Sequence, residues 1–361
     1  MKFLFLSSYA HLVLDTKTDR VSGGAELQVA LLARELVKRG HEVVIVGGDS
    51  GQSDSVVDGV RLRNGGKFQT GAVVDALGAL PRVFRIIRDE EPHYVVVLGW
   101  TTWLTMLTFF REALRYHVIF ICGLDTEVNG EFRRENPVRG MVFERGVRAA
   151  NLRMAMTEHQ ADLFVEGGMH CGMYRNLILP RRAPLTAEKT IDLLWVARCQ
   201  PIKRPHLFLD LAEELPDARC EMVCVREDVT LWEEVAERAG GMANVDFIER
   251  VPYHEAQDHY DAARIFVNTS TYEGWPNSFI QAGLGGAALA SLDVNSDDLF
   301  GRFGLGVYGR GDFDTWAKGI AELLGDEERL GFCQRECGRF VEELHDNDRN
   351  VDLFLGSLSV A

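Results

Sequence analysis

The stretch Val267–Leu292, VNTSTYEGWPNSFIQAGLGGAALASL, decides how the chain is read. It opens on the end of an apolar run, Arg264-Ile265-Phe266-Val267, breaks at a polar turn holding Glu273, Gly274 and Pro276, and resumes with helical spacing from Ser278. Strand, tight loop, helix is the order this predicts. Such an order aims the free backbone N–H groups of the first helical turn, and the positive end of the helix dipole, at whatever fills the loop. A phosphate or another oxygen-rich anion fits there. Asn277 and Ser278 are residues that cap helix starts well. Glu273 on the loop and Gln281 about one turn into the helix can both face a polyhydroxylated ligand lying over that start. An ordinary strand-to-helix turn with a solvated Glu reads the same way, so the rest of the chain has to agree.

Working outward, the chain has 361 residues and a 46% apolar fraction, enough for two domains each with its own core. The formal charge of -15 argues against non-specific binding to nucleic acid, which needs clustered Lys and Arg. Seven Cys, an odd number without a C-x-x-C ladder, cannot form a complete disulfide framework and point to a reduced, cytoplasmic protein. The pairs Cys220/Cys224 and Cys333/Cys337 have no His at ligand spacing, so no metal site is expected. Met1-Lys2 leads straight into an apolar strand with no signal-peptide pattern. The apolar run Tyr94–Phe110 is short for a membrane span and divides into a strand and a helix, although peripheral attachment through the first half stays open.

Toward the N-terminus, Lys2–Leu6 and Glu42–Val46 read as buried strands around a helix with Ala25, Val29, Leu32 and Leu36 on one face, closed by Arg39-Gly40. That is a βαβ unit and implies a parallel sheet. Tyr94–Leu98, His117–Ile121 and Arg153–Met156 extend it. The loop Tyr9–Ser22 is long for a βα connection and ends in Gly23-Gly24-Ala25-Glu26, where two glycines let a ligand approach the backbone at a helix start. No G-x-G-x-x-G follows the first strand, which disfavours a nicotinamide or flavin dinucleotide. After His117–Ile121 comes a polar turn with Asp125 and Glu127 at the carboxyl edge of a parallel strand, the edge where open α/β sheets place ligands.

The polar segment Arg181–Lys189 is the expected domain boundary, and beyond it the pattern restarts. Asp192–Ala197 is a strand, Arg198–Lys203 a turn, and Arg204–Leu215 a helix. Arg198 and Lys203 place two cations at the sheet's carboxyl edge, a pair suited to a diphosphate. Further strands at Arg219–Val225, Val245–Ile248, Arg264–Val267 and Ala287–Leu292 make a second Rossmann-like domain, and helices are expected at Glu327–Leu344 and Asn347–Leu355.

Glu273-Gly274-Trp275 followed by Pro276-Asn277-Ser278-Phe279-Ile280-Gln281-Ala282-Gly283 resembles the donor-site signature of retaining glycosyltransferase family four. Arg198, four residues and Lys203 are similar to that family's diphosphate motif, and Gly23-Gly24-Ala25-Glu26 matches its glycine pair facing the donor. The family usually carries Glu, seven residues, Glu; here the second carboxylate is the amide of Gln281, which still donates and accepts hydrogen bonds.

The resemblance implies an α/β chain of GT-B architecture, two Rossmann-like doubly wound domains facing across a cleft. It implies an acceptor-side domain over 1–182, a nucleotide-sugar domain over 183–335, and C-terminal helices over 336–361 that cross back to the first domain. By the same resemblance Arg198 and Lys203 hold the diphosphate and Glu273 binds sugar hydroxyls. Gly23, Gly24, Gly274, Trp275, Pro276 and the backbone of Asn277, Ser278 and Phe279 surround the donor, Gln281 meets the ribose, and the base lies near Arg250 and Val251. Asp125, and after it Glu127, are candidates for positioning the acceptor hydroxyl or taking its proton.

The implied activity is metal-independent, hexosyl-type retaining transfer from a nucleotide-diphosphate sugar to a hydroxyl of a glycan, glycolipid or small molecule. No cofactor beyond the donor is needed, and the expected place is the cytoplasm or the inner face of the membrane. Two rivals are a nucleotide-sugar epimerase of the same fold and a nucleotide-sugar-binding protein without turnover.

Overall fold

A computed structural model of the chain describes residues 1–14, 23–49, 53–67, 73–179, 188–252 and 255–358. It divides into two units, Met1–Leu179 with Asn347–Ala361, and Pro180–Asp346.

In the first unit the strands are β1 (Lys2–Leu6), β2 (Glu42–Gly47), β3 (Ser55–Val57), β4 (Val60–Asn64), β5 (Tyr94–Leu98), β6 (His117–Ile121), β7 (Leu152–Ala155) and β8 (Gly172–Met173). They form one sheet in the order β3-β4-β2-β1-β5-β6-β7-β8, parallel except for the β3–β4 pair. The helices are α1 (Ala10–Leu14), α2 (Gly24–Lys38), α3 (Val73–Glu90), α4 (Leu104–Leu114), α5 (Glu131–Glu135), α6 (Pro137–Ala149) and α7 (Glu158–Glu166). The central strands are runs of Val, Ile, Leu and Phe because helices cover both faces of a parallel sheet. Leu4, Val95, Val118, Trp103 and Leu107 lie in the core on one of those faces.

Two strands absent from the sequence reading, β3 and β4, sit at the sheet edge. Arg61 and Arg63 alternate with the buried Val60 and Leu62, and the two arginines pair with Glu42 at 2.8 Å and Glu90 at 2.7 Å. Charged side chains thereby hid the strand next to the sheet's edge.

The second unit restarts the pattern with β9 (Ile191–Arg198), β10 (Cys220–Val225), β11 (Val245–Ile248), β12 (Ala263–Asn268), β13 (Ala288–Ser291) and β14 (Gly306–Tyr308). The order β11-β10-β9-β12-β13-β14 is parallel throughout and reverses between β9 and β12, a topological switch point. Its helices are α8 (Pro205–Glu214), α9 (Val229–Gly240), α10 (Ala256–Ala262), α11 (Asn277–Leu284), α12 (Leu299–Phe303), α13 (Phe313–Gly325) and α14 (Glu327–Leu344). Trp195, Phe208 and Trp316 anchor its core.

The expected break at 182/183 lies outside the described residues, but the one at 335/336 is corrected. α14 belongs wholly to the second unit, where it buries Leu330, Cys333, Cys337, Phe340 and Val341. It crosses α11 so closely that a Cβ on Gly283 would stand 2.6 Å from the Cys337 carbonyl oxygen. Only the final helix, α15 (Asn347–Ser357), joins the first unit. Asn347 pairs with the Ile178 backbone through both its amide atoms at 2.8 and 2.9 Å, Arg39 meets Asp348 at 2.7 Å, and Phe354 packs 6.0 Å from Phe3.

Candidate active site

At the β9/β12 switch point of the second unit, the loop after β12 and the turn after β9 are stitched together. The Thr271 N–H donates to the Ile202 carbonyl at 2.9 Å, and the Thr269 hydroxyl donates to the Lys203 carbonyl at 2.6 Å. Trp195 Nε1 donates in turn to that hydroxyl at 2.9 Å. Arg204, left-handed at φ 45°, sends its guanidinium to the Thr269 carbonyl at 2.6 Å and to Asp293.

This scaffold brings Lys203 Nζ to Glu273 Oε1 at 2.5 Å. Ser270 and Asn268 donate to the same oxygen at 2.8 and 3.5 Å. Every hydrogen bond and ion pair of Glu273 among the described residues falls on Oε1, which leaves Oε2 as a spare acceptor.

α11 begins at Asn277, so Asn277 and Ser278 are not its caps, as the sequence had suggested. Pro276 holds the cap position and offers no side-chain acceptor, while its carbonyl accepts from the Phe279 N–H at 3.1 Å. The side chains of Trp275 and Phe279 are both buried, Trp275 against His345 and Phe279, expected to meet the donor through its backbone, between Phe266 and Phe300. Only their backbones remain available. Gly274 is buried, its carbonyl accepting from Ser296 at 2.9 Å. The Gln281 side chain is half-buried one turn into α11.

Arg198 ends β9, but its guanidinium reaches Glu227 at 3.0 Å and is not joined to the Lys203–Glu273 pair. Arg250 and Val251 follow β11 on the sheet's edge, two strands from β9. Sequence reasoning missed the buttress Thr269, Ser270, Arg204 and Asp293. Arg204 alone carried a signal, standing directly before the Pro that opens α8.

In the first unit, Gly23 caps α2, its N–H donating back to Glu26 Oε2 at 3.1 Å, with Gly24 and Ala25 exposed. A hollow at the β1/β5 switch point is lined by Ser8, Tyr9, Glu26, Trp100 and Thr101. The part of the Tyr9–Ser22 loop from 15 onward lies outside the described residues.

After β6, Asp125 accepts from Gln160 Nε2 at 3.0 Å and stands 3.9 Å from His159. The cap of α7 is Thr157, which accepts from the Gln160 N–H. Glu127 takes the Trp100 N–H at 2.7 Å and the Gly123 N–H at 2.8 Å. Burial pushes its carboxyl up to about 7, against the opposing pull of those donors. Burial first, and then the negative charges of Glu127 and Asp125, push the Cys122 thiol well up as well.

Residues 23–172 match the family described as "Glycosyl transferase 4-like domain", and residues 190–326 match "Glycosyl transferases group 1". The chain is a family-four glycosyltransferase of GT-B fold. It is 27% identical to the D-inositol 3-phosphate glycosyltransferase of Mycobacteroides abscessus, over 84% of this chain and 77% of that one. The same fold recurs in the sucrose-phosphate synthase of Thermosynechococcus elongatus, with TM-score 0.77, 15% identity and coverage of 99% and 98% of the two chains. It recurs in an E. coli trehalose-6-phosphate protein solved with UDP-2-fluoro glucose, with TM-score 0.68, 11% identity and 99% of each chain covered.

This glycosyltransferase uses a nucleotide sugar, and family membership favours transfer over the epimerase and turnover-free readings. Among the described residues no group of His, Cys, Asp or Glu could hold a metal ion, and no helix is long and apolar enough to cross a membrane.

Proposed function

We propose that this glycosyltransferase moves a hexosyl group, with retention and without a divalent ion, from a nucleoside-diphosphate sugar to a hydroxyl of a glycan, glycolipid or small metabolite. The observation that carries this reading is Lys203 held 2.5 Å from Glu273 on the loop that leads into the start of α11. As the anomeric C–O bond breaks, negative charge gathers on the leaving diphosphate. Lys203, Arg198 and the positive end of α11 at Asn277 and Ser278 offset that charge, which is the task a metal ion performs elsewhere. Glu273 Oε2 accepts from sugar hydroxyls, and the Gln281 amide meets the ribose.

The turn carrying Asp125 orients the acceptor hydroxyl and takes its proton. The first unit also touches a membrane surface at the inner face, in a cytoplasmic setting. Phe109 on α4 and Val138 and Met141 on α6 are exposed at 77, 72 and 53%, with Arg139 and Arg145 on the same helix as the latter two. Free cysteine thiols suit a reducing compartment.

The test is incubation with a panel of uridine, guanosine and adenosine diphosphate sugars, with and without hydroxyl acceptors. Acceptor-dependent release of nucleoside diphosphate, unchanged by EDTA and giving a product of the donor's own anomeric configuration, is the expected result. An epimerised sugar, or binding alone, overturns it. Sedimentation with anionic vesicles, with and without Phe109→Ser, tests the membrane contact.

A further inference from the structure

Glu127 belongs by sequence to the turn after β6, yet its two oxygens serve two turns. Oε1 accepts from Trp100, just beyond β5, at 2.7 Å, and Oε2 from Gly123, just beyond β6, at 2.8 Å. β5 and β6 pair in parallel from Tyr94↔His117 to Leu98↔Ile121, so the chains leave the sheet side by side, with the Gly99 N–H still donating to Ile121 at 2.9 Å. A Cβ on Gly123 would stand 3.2 Å from the Gly99 Cα and 3.5 Å from Glu127 Oε1, and a Cβ on Gly99 would also stand 3.5 Å from that oxygen. Two residues without side chains let the turns close around one carboxylate. A Gln would serve less well, since its amide oxygen can take one N–H while its NH2 opposes the other. No cation pairs with Glu127 among the described residues, so the carboxylate's charge is answered by these N–H groups, the Leu124 N–H and the Cys122 thiol.

The two turns lead to different features. Trp100 lines the hollow at the β1/β5 switch point, and Asp125 stands two residues before Glu127 in the acceptor turn. We propose that Glu127 is a positioning residue for glycosyl transfer: by taking the Trp100 and Gly123 N–H groups at once it fixes both turns, and so holds Trp100 and Asp125 for the acceptor without touching the reactants. This rests on the reading that the first unit's carboxyl edge receives the acceptor.

The titratable groups facing Glu127 are the Cys122 thiol and the Asp125 carboxylate, the latter bonded to Gln160 and 3.9 Å from His159. The Cys122 thiol, pushed well up, keeps its proton across neutral pH, and burial moves the titration of the Glu127 carboxyl toward neutrality. Ionised, it binds both turns; protonated, it releases one.

The test needs no substrate for its first half. In protein labelled with 15N-tryptophan, which has six Trp, the Trp100 backbone amide is assigned by Trp100→Phe and followed from pH 5.5 to 8.5. The expected result is a single titration in the wild type that vanishes in Glu127→Gln while near-UV circular dichroism is kept. For the second half, the donor found in the nucleotide-sugar panel is used. Glu127→Gln should lower kcat/KM for the acceptor at least tenfold, leave the donor KM within twofold, and remove the acid limb of the rate profile. A Trp100 amide that does not titrate, or a folded Glu127→Gln with wild-type acceptor kinetics and profile, overturns the proposal. If Glu127→Gln fails to fold, the wild-type amide titration together with Glu127→Asp, too short to reach both turns, decides it. If no donor turns over, the transferase reading fails, and the amide titration still rules on the clamp.

Discussion

At the carboxyl edge of the second sheet, Lys203 and Arg204 are each met by a carboxylate, Glu273 and Asp293, and the adjoining helix start has no side-chain cap. At the corresponding edge of the first sheet the carboxylates Asp125 and Glu127 are answered by the Gln160 amide, by backbone N–H groups and, at 3.9 Å, by His159. The two edges share a topology and differ in the charge they can offer a ligand. On the proposed reading a diphosphate is drawn to the edge that offers paired cations and a helix start and is repelled by the acidic one, whereas a neutral hydroxyl can give its proton to the acidic one. Two sheets of one kind thus acquire different tasks from the residues on their turns, not from their architecture.

The comparison breaks most readily at Lys203. Lys203→Ala is expected to cut turnover by about 10²–10³-fold, the cost of one preorganised donor to a developing anion, with the far-UV spectrum unchanged. A rate equal to the wild type would remove the cationic edge from the mechanism. Glu273→Gln comes next, with a loss of about 1.5–3 kcal/mol in kcat/KM for the donor, as for a charged hydrogen bond. Since the amide also abandons Lys203, the effect should read in KM and kcat together.

On the acidic side, Gly123→Ala pushes a methyl to 3.2 Å from the Gly99 backbone. It should cost about 1–3 kcal/mol of stability by overpacking, read as a lower Tm in calorimetry. A stable variant would show that the two turns are not closed on each other.

The pH behaviour of the same turns is a smaller effect of definite sign. Glu127's carboxyl lies above its usual 4.5, at about 7, so its contribution to stability is full below 4.5 and is lost as the pH rises through about 7. Wild-type unfolding free energy should therefore decline across that window by up to about 2 kcal/mol relative to Glu127→Gln, allowing for partial solvent access. Urea titrations of the two proteins at pH 5 and 8 measure it. The least effect is expected from Gln281→Glu, which exchanges one ribose hydrogen bond for a charged one: about 1 kcal/mol, seen as a severalfold lower donor KM.

Much of this was legible in the chain. The central strands announced themselves because strands buried on both faces must be apolar, and helices such as α14 because their apolar residues recur on one face. β4 was not legible, since Arg61 and Arg63 interrupt its run and their partners Glu42 and Glu90 are remote in sequence. β14 and β8 were too short, at three and two residues, to leave any pattern. At the site, Lys203 and Glu273 were found from motif spacing. Arg198 was named with them, and its ion pair with Glu227 is a contact no spacing reveals. Glu127 ranked below Asp125 because a Glu in a polar turn reads as solvated. Its enclosure depends on Gly99 and Trp100, more than twenty residues earlier.

The sequence by itself determined two parallel α/β units, the restart of the pattern near residue 190, and the turn residues that place cations after β9 and carboxylates after β6. Periodicity and turn chemistry are local, so one chain read in order carries them. Tertiary structure alone decided that α14 stays with the second unit while α15 returns to the first, that Lys203 meets Glu273, and that one carboxylate holds the turns after β5 and β6. Those outcomes depend on which remote groups come within about 3 Å of one another, and such distances are set by packing across the fold.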